Sequence, residues 1–383
     1  MAVDLANYAG REPAFVKHIL LDAYLEALIH KIASAYDHIV YVDGFSGPWQ
    51  SAGTDYQDTS FGIALRSLRS AKEAWKKLGR NVRMTAHLIE KSDRPFQELV
   101  KLPPKFPDIE IVPHKGDFVA VARELSRTIP RTAFVFLFID PKGWRIDIQA
   151  LEPLLSLPNC EVLFNFMFEF INRAASMREP VTVAGLDALI PGGDWRGKLT
   201  AATSPDARKR ILVDAFAAVI GKMGGYRFVA DTPVLRPLKD REIYSLVYAT
   251  RKPPGIEVFR SCQAKALQEQ SVMRGAAKAS AQTAATGQAE AFLFTEMAPD
   301  ITAAFLAREV EAARRLLLDL TPPAPQTITY GEMWPQVLSR HAVRKAELNS
   351  MAAVMRKDGR LLFPGWPDGK RVPGDDFRMS RPA

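Results

Sequence analysis

Four acids, each just beyond a short apolar run, are the residues whose type and spacing point most directly to chemistry: Asp43, Glu90, Asp117 and Asp140. Asp43 follows Ile39–Val42 and passes straight into Gly44-Phe45-Ser46-Gly47-Pro48. Asp140 follows Ala133–Ile139 and opens the segment Asp140-Pro141-Lys142-Gly143-Trp144. A carboxylate at a strand tip can accept hydrogen bonds from a ribose diol or an amine, and can place a nucleophile. Trp144 can stack on a planar base. Lys17, early in the first helical segment, can reach an anionic ligand beside the first strand, and Asn165 stands at the end of a later strand. Each also has an ordinary reading. Asp117 can be a helix N-cap, Glu90 a solvated acid, Lys17 part of a solvated first turn, and Trp144 a packing residue.

To bring these acids to one edge, the chain must build an open α/β sheet. Ile39–Val42, Arg83–Ile89, Ile109–Val112, Ala133–Ile139 and Cys160–Phe166 read as successive strands. Helical spacing over Phe15–Ala35, Ser60–Leu78, Phe118–Leu125, Met167–Met177 and Ser204–Met223 supplies the covering layers. Tyr226–Ala230 and Ile243–Ala249 read as a closing hairpin-like pair with nothing catalytic in it. Ligands of such sheets bind beyond the carboxyl ends of the strands. The turn after Asp43 holds neither GxGxxG nor GxxxxGK[ST], which argues against dinucleotide and P-loop sites.

Composition sets the outer bounds. The chain has 383 residues, 47% hydrophobic and 25% charged, as in ordinary globular domains. A net charge of +8 makes nucleic acid a plausible partner. Two cysteines, Cys160 and Cys262, cannot build a disulfide framework or a CxxC metal site, and six histidines show no HExxH spacing. No metal site is expected, and a reducing cytoplasm fits. Asp4 and Arg11 interrupt the amino terminus, so no signal peptide is expected, and no run of about 18 apolar residues predicts a membrane span.

The expected organisation is an α/β domain over residues 1–265, a helical connector over 266–321, and a separate module over 322–383. Within the connector, Gly275–Gln288 is small and polar and reads as a mobile loop or frayed helix end. The terminal module reads helix, turn, helix, hairpin, the order of a winged helix. It carries ten Lys/Arg against six Asp/Glu, half of the net charge, which suits nucleic-acid contact or protein docking.

The acidic series resembles the motifs of class I S-adenosylmethionine-dependent methyltransferases. More narrowly, KHILLDAYL, YVDGFSGPW, FLFIDPKGW and SLVYATRKPPGIEVFR resemble the three-Cys-motif partner family, TcmP. That resemblance implies a Rossmann-like, mostly parallel seven-stranded sheet with a terminal antiparallel pair, a GMT-like C-terminal winged helix, and S-adenosyl-L-methionine as cofactor. It places Asp43, Phe45, Ser46 and Gly47 beside the methionine part of the cofactor, Glu90 on its ribose and Asp117 near its adenine amine. Asp140 and Pro141 match the start of the catalytic motif. Lys142 and Gly143 take its third and fourth positions, and the aromatic is displaced to Trp144. Lys17 and Asn165 complete the expected acceptor side. The family name implies a three-cysteine-motif partner that resembles radical S-adenosylmethionine proteins. Three functions remain in play: a methyltransferase acting on nucleic acid or a nucleotide-derived acceptor, a non-catalytic cofactor-binding partner subunit, and a winged-helix regulator.

Overall fold

The computed structural model describes residues 3–8, 10–47, 51, 56–286 and 301–382. Pro48 and Trp49 of the first turn, and Gly287-Gln288 of the small polar segment, lie outside the described residues. The chain divides into two compact units, Met1–Arg227 with Asp231–Arg251, and Phe228–Ala230 with Lys252–Ala383.

The first unit alternates strands and helices. In chain order these are α1 (Glu12–Ile32), β1 (His38–Asp43), α2 (Ser60–Lys77), β2 (Arg83–Glu90), α3 (Asp93–Val100), β3 (Glu110–Lys115), α4 (Phe118–Thr128) and β4 (Phe134–Ile139). Then follow α5 (Glu152–Leu155), β5 (Cys160–Phe166), α6 (Phe168–Ala174), α7 (Pro180–Leu189), α8 (Trp195–Ala201), α9 (Pro205–Gly224), β6 (Phe228–Leu235), whose first three residues are counted with the second unit, and β7 (Glu242–Thr250). The strands form one seven-stranded sheet in the order β3-β2-β1-β4-β5-β7-β6. β1 through β5 run parallel and β7 pairs antiparallel with β5. This is the sheet that the methyltransferase resemblance implies. The strand order reverses between β1 and β4, and a doubly wound sheet opens its ligand crevice at such a switch point.

Local sequence explains the frame. β4 and β5 are buried along their whole length, as strands covered on both faces must be. Thr59, Asp117 and Ser204 cap α2, α4 and α9 by accepting backbone N–H bonds from Gly62, Val119 and Ala207. α9 stops at Gly225, whose φ of +62° is left-handed. α1 is pinned to the sheet by a buried network: Tyr24 Oη donates to Glu161 Oε2 at 2.6 Å, pairs with Tyr248 Oη at 2.6 Å, and Thr250 Oγ1 donates to Glu161 Oε1 at 2.7 Å. That network fixes where α1 presents Lys17. Cys160 is a core residue, and burial pushes its thiol up to about 12.

The second unit contains α10 (Pro253–Thr286), α11 (Ile301–Leu320), β8 (Ile328–Thr329), α12 (Tyr330–Arg340), α13 (Lys345–Lys357) and β9 (Arg378–Met379). β8 and β9 pair antiparallel, and Leu362 bridges Ser380. α12 begins with a capping box between Thr329 and Glu332. Arg260 of α10 donates to the Leu338 carbonyl at 2.6 Å, and Glu309 of α11 accepts from Ala342 N at 2.8 Å. α10 stays helical across Gly275 to Thr286, so of the two readings of the small polar stretch, mobile loop or helix end, the described residues follow the helical one. Alanine dominates that stretch, and its helix propensity outweighs one glycine. No helix among the described residues is long and apolar enough to cross a membrane.

Candidate functional site

The strand tips of the first unit surround a cavity of about 620 Å³. Of the twelve residues singled out by sequence, nine line it: Lys17, Phe45, Gly47, Glu90, Asp117, Asp140, Pro141, Lys142 and Asn165. Asp43, Ser46 and Trp144 do not.

The first wall is the turn after β1. Gly44 N donates to Phe138 O at 3.0 Å, and Ser46 N to Ile89 O at 2.9 Å, so the turn is stitched to both flanking strands. A Cβ on Gly44 would stand 2.8 Å from the Phe118 ring, so only glycine lets the turn sit against the start of α4. Phe45 and Phe118 meet edge to face at 5.7 Å and give this wall an apolar surface.

Asp43 lies beneath that turn, 0% exposed. It accepts from Phe45 N at 3.0 Å, Ser60 Oγ at 2.5 Å and Tyr41 Oη at 3.1 Å. Ser46 Oγ bonds back to the Asp43 carbonyl at 3.0 Å. Both residues therefore shape the loop from below. Burial pushes the Asp43 carboxyl up to about 6, against the opposing hydrogen bonds from Ser60 and Phe45. A raised carboxyl stabilises the fold while protonated. Its contribution is complete below the unfolded value near 4 and is lost as pH rises through about 6. The stability difference between wild type and Asp43→Asn should therefore shrink by on the order of 3 kcal/mol between pH 4 and pH 7. Urea unfolding of both proteins across that range checks it, and a difference independent of pH would refute it.

Glu90 closes β2, 6% exposed, with Oε1 accepting from Ser92 N at 2.6 Å. Asp117 is exposed, and its Oδ1 accepts from Val119 N at 3.0 Å, so capping and cavity lining coincide in one residue. The opposite wall is built around Asp140. Its Oδ2 is ion-paired with Lys17 Nζ, and its Oδ1 accepts from Asn165 Nδ2 at 2.6 Å. Lys142 is exposed at the rim, while Trp144 turns away and rests on Gly185, where a Cβ would stand 3.0 Å from its ring.

Several wall residues have no signal in the sequence. Arg11 pairs with Asp58 at 2.6 Å across the loop before α2. Tyr244, in the strand pair read as chemically inert, lines the cavity and donates to the Pro13 carbonyl. His18 pairs with Tyr8 Oη at 2.8 Å, and burial together with the Lys17 charge holds it well below the usual histidine range, hence neutral. Only the Asp58-Thr59-Ser60 sequence, an N-cap pattern, hints that its neighbourhood is ordered.

No family model and no curated protein matches the chain. Among solved structures, a Legionella pneumophila protein is similar at 13% identity, covering 66% of this chain and 87% of that one, with a TM-score of 0.38. An O-methyltransferase from Bacillus cereus, solved in complex with SAH, is similar at 14% identity over 60% of this chain and 80% of that one, TM-score 0.32. A precorrin-6y C5,15-methyltransferase from Geobacter metallireducens is similar at 13% identity over 59% and 87%, TM-score 0.29.

Proposed function

We propose that this cavity binds S-adenosyl-L-methionine and that the chain is a methyltransferase acting on nucleic acid or a nucleotide-derived acceptor. The observation that carries the reading is the convergence of the Gly44–Gly47 turn, Glu90, Asp117 and Asp140 on one cavity at the switch point of the sheet. The residues fit the cofactor. Glu90 keeps Oε2 for a ribose hydroxyl, Asp117 stands at the adenine end, and the tight glycine turn leaves room for the methionine part beside Phe45. Such a cofactor supplies a methyl group activated on a sulfonium. The protein's own task is to hold the acceptor, which Asp140 does as a hydrogen-bond acceptor at the nucleophile.

A second reading is favoured by a specific observation: Lys17 closes on Asp140 and Trp144 packs outside the cavity. On that reading the chain is a TcmP-type cofactor-binding subunit that works beside a three-cysteine-motif protein. Calorimetric titration with S-adenosylmethionine, then tritiated-methyl transfer to total RNA and DNA, tests both. Absence of binding overturns the cofactor reading. Binding without transfer leaves the partner subunit.

The same proposal gives the terminal helices and β8–β9 pair a winged-helix role in holding nucleic acid. Arg356, Lys357, Arg360, Lys370 and Arg371 are all exposed, on the last turn of α13 and the segment after it. Three or four phosphate contacts should lower affinity for duplex DNA or RNA roughly 40-fold to 150-fold between 50 and 200 mM salt. Replacing Arg356, Lys357 and Arg360 by alanine should flatten that slope. An unchanged slope would move the binding surface to the α/β unit.

A further inference from the structure

The amide of Asn165 has an unbalanced set of hydrogen bonds. Its Nδ2 donates to Asp140 Oδ1 at 2.6 Å and lies 3.5 Å from Met167 Sδ. Its Oδ1 has no hydrogen-bond partner among the described residues, although the side chain is only 3% exposed. Turning the amide over cannot relieve this. A carboxylate accepts and never donates, so the NH2 group must face Asp140. A buried amide oxygen left alone is costly, and folded proteins keep few of them.

Asn165 shares the cavity wall with Asp140 and Lys17. Lys17 takes Oδ2 of the carboxylate, which leaves the spare acceptor capacity of Oδ1 beside the amide's open oxygen. Two acceptors side by side call for a ligand group with two hydrogens to give. A hydroxyl has one, and a tertiary amine has none. Around them, Pro13, Pro141, Met167 and Tyr244 supply apolar wall, which suits a ring as the carrier.

We propose that Asn165 and Asp140 together clamp a primary amino group carried on a heteroaromatic ring, so that Asn165 selects an amine as the methyl acceptor. The proposal rests on the methyltransferase reading of the cavity. One N–H is held by Asn165 Oδ1 and the other by Asp140. The nitrogen lone pair forms the new N–C bond as the methyl carbon's bond to sulfur breaks, and that bonding pair stays on sulfur. The surplus proton on nitrogen passes to the Asp140 carboxylate and from there to water. A once-methylated nitrogen keeps a single N–H and satisfies only one of the two acceptors, so the product is held less well than the substrate.

The test uses the full chain saturated with S-adenosylhomocysteine. Cytosine and adenine are titrated by calorimetry against their N4,N4-dimethyl and N6,N6-dimethyl forms. Wild type should bind at least one of the primary amines about tenfold or more tighter than its dimethylated form. Asn165→Ala should reduce that preference to threefold or less while keeping S-adenosylhomocysteine affinity within about twofold. Equal binding of both forms by wild type overturns the clamp, and this needs no variant to fold. A variant that keeps the preference but loses S-adenosylhomocysteine affinity also overturns it, because Asn165 would then serve the cofactor. If wild type binds no S-adenosylhomocysteine, the cofactor reading fails separately, and the base titrations on the chain alone still decide the clamp.

Discussion

Asp140→Asn should lower methyl transfer by about 10²-fold or more while leaving S-adenosylmethionine affinity nearly unchanged. The substitution keeps volume and removes charge. β4 is buried along its length, so the residue at its tip is held in place rather than swinging free. In the native protein Lys17 takes Oδ2 and Asn165 Nδ2 takes Oδ1, an arrangement that needs an acceptor at both positions. An asparagine offers one acceptor and one donor, so keeping Lys17 on the acceptor presents an NH2 group to Asn165, whose amide must turn over to offer Oδ1 in place of Nδ2. On the proposed chemistry, the acceptor nitrogen also loses the carboxylate that relieves its growing positive charge. Tritiated-methyl transfer and calorimetry on the same preparation check the split between chemistry and binding. If Asp140 serves only the turn, the variant loses about 1 kcal/mol of stability and transfer persists.

Glu90→Ala should weaken S-adenosylmethionine binding by about 1–3 kcal/mol, roughly fivefold to 150-fold. Ser92 N occupies Oε1, and the 6% exposure of the side chain means that a hydroxyl bound there is largely shielded from water. Removing the carboxylate strands that hydroxyl without a partner, which is why the loss exceeds that of a surface contact. Glu90→Gln, which keeps one acceptor oxygen, should lose less. Calorimetry on the two variants decides the matter, and equal affinity for wild type and Glu90→Ala would remove Glu90 from the cofactor site.

The legible part of the site was its local part. An apolar run, an acid, and then glycine or proline specify a strand, its end and the residue at its tip, because each constraint acts within a few residues. β1, β2, β4 and β5 were readable for that reason, as was the Asp117 cap. The stretch from Gly275 to Thr286 shows the weakness of composition alone, since small and polar residues fit a mobile loop and the end of an alanine-rich helix equally well, and the structure takes the helix.

The sequence by itself determined that acids stand at the ends of successive strands, since strand and breaker chemistry is local. Tertiary structure alone decided which way those acids face. Asp43 is drawn under its own turn by Ser60 and Phe45, while Asp140 is drawn to Lys17, 123 residues away in sequence. Trp144 found a flat glycine surface on α7 instead of the cavity. Tyr244 and the Arg11–Asp58 pair entered the wall from segments with no chemical signature. The physical reason is common to all of them: a side chain takes the direction that satisfies its hydrogen bonds and fills its space, and the partners that set those terms arrive only when distant segments pack.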